Sequence, residues 1–101
     1  MSGFLLLPAA RRDTAGIWPS SYKTFGAARA DRYIDSFDPV FRRIADGKAV
    51  TIDWSDVAPG LVSAACGSHL VFVRTDGDEP PEIVAVLHER MDHEARLRLR
   101  L

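Results

Sequence analysis

The residues with which this chain could do chemistry are few: one cysteine, three histidines and a scatter of arginines. Cys66 and His69 stand three positions apart and offer a thiol with a nearby base, the minimum for covalent catalysis. His69, Arg74, His88 and Arg90 offer a second set, in which imidazoles move protons and guanidiniums hold phosphate, the chemistry of RNA cleavage. His88, Asp92 and His93 form a third group with metal-binding side chains. Each has a plainer counterpart. A lone Cys66 packs as a small hydrophobe, the histidines sit at strand ends with backbone partners, and the third group matches no zinc-ligand spacing. The chain also lacks a phosphate-cradling glycine loop, paired cysteines and a nucleophile elbow. The expectation is therefore no catalytic residue, no metal and no cofactor, with binding rather than bond-making as the activity.

The elements that must position these residues follow from hydropathic pattern. Phe4 to Leu7 is a short apolar run closed by Pro8, as in a buried strand followed by a proline at the first helical position. Ala10, Asp13/Thr14, Ile17 and Trp18 then recur at helical spacing. Pro19 predicts an end or kink there, because its ring clashes with the carbonyl four residues earlier. After Phe25-Gly26, the residues Ala30, Tyr33/Ile34, Phe37, Phe41 and Ile44 return in steps of three and four, with Arg29, Arg32, Asp35, Arg42 and Arg43 opposite. This is the clearest amphipathic helix in the chain. Pro39 predicts a kink, or a restart capped by Asp38 in the same phase. Residues 48–60 read as a connector, partly extended over the sheet, that ends at Pro59-Gly60.

The second half reads as strands. Leu61–Cys66 and His69–Arg74 flank Gly67-Ser68, a two-residue link of the kind tight hairpins use. A polar loop over residues 76–81 leads to Ile83–His88. Asp92 can cap a short last helix, although the strictly alternating tail Arg96 to Leu101 suits a strand equally. The expected fold is α+β in the order β-α-α-β-β-β, with a helical hairpin on a small antiparallel sheet, in one domain spanning residues 1–101. The apolar stripe is wider than two helices need, so Trp18, Phe37 and Phe41 form either core or a docking groove.

Thirteen basic and 14 acidic residues leave a net charge of −1. Residues 1–50 carry eight Lys/Arg and five Asp/Glu, net +3, and residues 51–101 carry five and nine, net −4. That balance disfavours direct nucleic-acid binding, which demands a basic excess. A single cysteine and no leader-like or membrane-spanning apolar stretch point to a reducing, cytoplasmic setting without membrane contact.

Gly67-Ser68-His69-Leu70-Val71-Phe72, and then Val86-Leu87-His88-Glu89-Arg90-Met91-Asp92, resemble the Gly-Ser-His strand and Leu-His-x-x-Met-Asp closing segment of ParE toxins, in the wider RelE/ParE superfamily. Ala10, Asp13, Ile17, Trp18, Phe25-Gly26, Ala30, Tyr33 and Pro59-Gly60-Leu61 agree more loosely, in matching order. The resemblance implies the toxin of a bacterial type II toxin–antitoxin system, one that binds DNA gyrase or another type II topoisomerase and stalls it on cleaved DNA. It implies neutralisation by a ParD-like antitoxin, with DNA contacted only through the toxin–antitoxin complex. It points to Arg74, His88, Arg90, Met91 and Asp92 for toxicity and to Trp18, Phe37 and Phe41 for antitoxin binding. RelE relatives instead cleave mRNA on the ribosome, the alternative in which His69, His88 and Arg90 act. A non-toxic, degenerate relative is the third possibility. This sequence departs from the family pattern at Val62-Ser63, Val73, Pro19 and Pro39.

Overall fold

A computed structural model describes residues 3–75, 77 and 79–101, so Asp76 and Asp78 of the expected polar loop lie outside the described residues. The elements are β1 (Leu5–Leu6), α1 (Pro8–Phe25), α2 (Ala27–Asp35), α3 (Phe37–Ala45), β2 (Ile52–Asp53), β3 (Leu61–Cys66), β4 (His69–Arg74), β5 (Glu82–His88) and α4 (His93–Arg98). The sheet order is β1-β5-β4-β3-β2. Neighbours run antiparallel except β1, which lies parallel to β5 on its open side. The expected α+β architecture is present, and the single parallel edge strand makes its sheet mixed.

Two prolines behave differently from each other. Of the end or kink expected at Pro19, the end does not occur: α1 runs through it to Phe25. Ala15, Gly16 and Pro19 all face solvent, so water can satisfy the carbonyl that loses its intrahelical donor, and packing of Ile17 holds the helix on course. Near Pro39 the chain does restart, but one residue before Asp38. Ser36 separates α2 from α3, and Pro39 falls in the first turn of α3, where its missing N–H has no helical partner to lose. Asp38 does not cap that turn; it pairs with Arg42 at 2.7 Å. Because the restart keeps phase, Phe37, Phe41 and Ile44 still point inward.

The helices cover one face of the sheet. Ala10, Ile17, Phe37, Phe41 and Ile44 pack on Ala64, Cys66, Val71, Val73, Ile83 and Val86. The opposite face is also covered, in part by α4, whose packing there hydropathic pattern did not anticipate. Leu61, Phe72, Val84, Ala85 and Leu87 meet Leu97 of α4, with Trp54, Val57 and Ala58 of the connector alongside. The tail is therefore helical, with the Asp92 side chain accepting from the Ala95 N–H at 3.2 Å. The connector is partly extended and lies over the sheet as expected: Ile52–Asp53 adds the edge strand β2, with Ile52 60% exposed, and Trp54, Val57 and Ala58 pack on the sheet face. An irregularity in β5 opposite Phe72/Val73 places Val84 and Ala85 on one face.

Beyond β1 the outer edge of β5 is finished by side chains. Asp13 of α1 accepts the Val86 N–H at 2.9 Å, while Arg100 donates to the Val84 carbonyl at 3.2 Å. Arg100 and Asp13 also join to each other in a two-pronged pair of 2.6 and 2.8 Å. The first helix and the C-terminus are thus tied across the rim of the sheet, and an open strand edge is closed.

Candidate functional site

The hairpin between β3 and β4 turns on Gly67, whose φ of +58° suits a residue without a side chain. A Cβ here would also lie 2.5 Å from Cε1 of Tyr33. Tyr33, on the buried side of α2, reaches over this turn. Its hydroxyl donates to the Cys66 carbonyl at 3.1 Å, accepts the Ser68 N–H at 3.1 Å and lies 2.6 Å from Nδ1 of His69. One ring nitrogen of His69 is thereby committed, leaving Nε2 for a ligand. Burial, and next the neighbouring His88, push the His69 pKa down from 6.5, against the opposing pull of Glu89 and Asp13.

His88 pairs directly with His69 across β4 and β5, and the rings meet edge to face with centroids 5.3 Å apart. Nδ1 of His88 accepts the Arg90 N–H at 3.2 Å, which places the proton of the neutral ring on Nε2. The turn that follows is pinned by Glu89 N–H to the Ser68 carbonyl at 2.9 Å. The His88 carbonyl receives the Met91 N–H at 3.0 Å and His93 Nε2 at 2.8 Å. Both strand-end histidines therefore have protein partners: His88 has the backbone partner that the plainer reading expects, whereas His69 is held by a side-chain hydroxyl instead.

These side chains line one wall of an open cleft of about 590 Å³ between the α1–α2 turn and the β3–β4 hairpin. The other wall carries Ser20, Ser21, Thr24, Phe25, Arg29 and Arg32. Cys66 does not join it. Its thiol turns toward Ser36, 3.5 Å from Oγ, and burial raises its pKa, so it sits in the core as an unreactive thiol.

The structure brings only part of the expected set together. His88, at the end of β5, and Arg90, Met91 and Asp92, on the turn into α4, lie close together in the chain, with Met91 39% exposed. Arg74 stands at the opposite end of β4 from His69, about 16 Å away at strand rise. There it grips Glu82 through Nε and Nη2 at 3.2 and 2.9 Å. Phe37 and Phe41 are 2% and 6% exposed, so they belong to the core and reach the surface only as edges of a shallow depression beside Arg11 and Ile34. Trp18 is half-buried, stacked on Tyr22 and donating to Asp31 at 2.7 Å. Among the described residues, no cluster of three or more His, Cys, Asp or Glu side chains is placed to hold a metal ion. No helix among them is long and apolar enough to cross a membrane.

Sequence reasoning missed Tyr33 as the organiser of this site, and with it the helix-side arginines. The available signal was a hydroxyl on an otherwise apolar stripe, since a buried tyrosine hydroxyl requires a partner.

The fold is shared with a chain from the chromosomal ParDE toxin–antitoxin system of P. aeruginosa, at a TM-score of 0.70, 14% identity, and coverage of 87% of this chain and 96% of that one. Residues 4–93 match the model of the family described as ParE toxin of the type II toxin–antitoxin system, parDE. The chain is 38% identical to Toxin ParE of Escherichia coli over 101 residues, covering 100% of this chain and 98% of that relative. It is 31% identical to Toxin ParE1 of Mycobacterium tuberculosis over 96 residues, covering 95% and 98%. The chain belongs to the ParE toxin family.

Proposed function

We propose that this chain is a toxin that acts by binding DNA gyrase, or another type II topoisomerase, and is silenced by a ParD-like antitoxin. Family membership supports the toxin class. The observation that carries the non-catalytic part is the dispersal of the nuclease set: Arg74 is paired with Glu82 at the far end of β4, while His69 is tied to Tyr33. The target-binding surface in this reading is the turn of His88, Arg90, Met91 and Asp92, which presents exposed side chains on a backbone pinned to β4. The antitoxin contact combines Trp18 with the edges of Phe37 and Phe41. The antitoxin also accounts for any DNA contact, given a net charge of −1.

The purified toxin inhibits gyrase supercoiling, and the cognate antitoxin relieves the inhibition. Unchanged supercoiling at micromolar excess of toxin refutes the gyrase assignment. The juxtaposition of His69 and His88 favours one other reading, a ribosome-dependent mRNA endonuclease. In-cell mRNA cleavage that is lost on His88→Ala would establish it in place of the first.

A further inference from the structure

We propose that the cleft between the α1–α2 turn and the β3–β4 hairpin binds a phosphate group, carried by a nucleotide or present as the free ion. The inference stands apart from the identity of the toxin's target. Arg29 and Arg32 lie three residues apart on α2 and so share a helix face. Both line the cleft opposite His69 and His88. Neither has a carboxylate partner among the described residues, whereas Arg42, Arg74, Arg98 and Arg100 each have one.

Among the described residues no acidic side chain lines this cleft, while Ser20, Ser21, Thr24, Ser36 and Ser68 bring hydroxyls to it. Cations and hydroxyl donors around a space with no carboxylate among its described lining residues are the recognition chemistry of a phosphate. Glu89, from the turn after β5, and Asp13, from α1, act on His69 from outside the lining, and Asp35, three residues beyond Arg32 on α2, forms no ion pair with it among the described residues. Arg29 is already positioned, its guanidinium 4.3 Å above the Phe25 ring. That ring is 55% exposed and extends the cleft with a flat apolar surface. A volume of about 590 Å³ accommodates a nucleotide and exceeds what phosphate alone fills.

The test is titration of the full chain with adenosine 5′-monophosphate, inorganic phosphate and adenosine, read by NMR at the side chains of His69 and His88. The two phosphate-bearing probes shift both histidines, and adenosine binds at least tenfold more weakly than the monophosphate. Tighter binding of the monophosphate than of phosphate assigns the group to a nucleotide, and equal binding assigns it to the free ion. R29Q/R32Q, whose two positions are exposed, keeps its far-UV spectrum and loses at least tenfold in phosphate affinity, with the single R32Q variant as a second measure should the pair disturb folding. Unshifted histidines at millimolar probe, an arginine variant that binds as the parent does, or adenosine binding as tightly as the monophosphate overturns the assignment.

Discussion

Replacing Asp13 by alanine removes three contacts at once: both prongs of the Arg100 pair and the acceptor for the Val86 N–H. The pair is well sheltered, with side chains 24% and 15% exposed, so it does not behave as a surface ion pair of negligible worth. Removing one partner of a buried pair costs about 3–5 kcal/mol, and each hydrogen bond to a charged group contributes about 1.5–3 kcal/mol. Partial exposure places Asp13→Ala near the lower limit, at about 3 kcal/mol. For a domain of this size that corresponds to a fall in Tm of roughly 12–24 °C. Urea unfolding followed by far-UV circular dichroism measures the change as a lower midpoint at constant slope. A double-mutant cycle with Arg100→Ala isolates the pair, for which the geometry predicts coupling of about 2 kcal/mol. Asp13→Asn retains an acceptor for Val86 and loses less. A loss below about 1 kcal/mol on Asp13→Ala, or coupling near zero, would show that the rim is not held in the way the distances imply.

Phe37→Ala destabilises the isolated toxin by about 3–5 kcal/mol, since the ring is core, and urea unfolding checks it. Pro19→Ala restores a helical N–H on a solvent face and raises stability by about 1–3 kcal/mol, seen as a higher urea midpoint. Stability falls as pH drops below 6.5, because the folded chain holds the His69 pKa lower than the unfolded chain does and the unfolded chain then binds more protons. His69→Gln flattens that slope between pH 7.5 and the lowered folded value, as unfolding at a series of pH values would reveal. On the proposed function, Arg90→Ala and Met91→Ala are expected to weaken gyrase inhibition about tenfold, a loss of about 1.4 kcal/mol in binding, with an unchanged urea midpoint.

The apolar runs Leu61–Cys66 and His69–Arg74 around Gly67-Ser68 determined the central hairpin, because a two-residue, glycine-first link between two short β-prone segments fixes their pairing. The stripe from Ala30 to Ile44 likewise determined which helical face meets the sheet. The motif pair at Gly67–His69 and His88–Asp92 carried the family. Tertiary structure decided the rest. Whether α1 stops at Pro19 depends on where its freed carbonyl points, which is known only once the solvent face is defined. Whether the alternating tail forms strand or helix depends on Leu97 finding an uncovered sheet face. The gathering of Tyr33, His69, His88, Arg29 and Arg32 joins α2 to two strand ends more than 30 residues away. Local spacing holds no record of that arrangement, because it arises from packing the helices onto a sheet whose two faces are both covered.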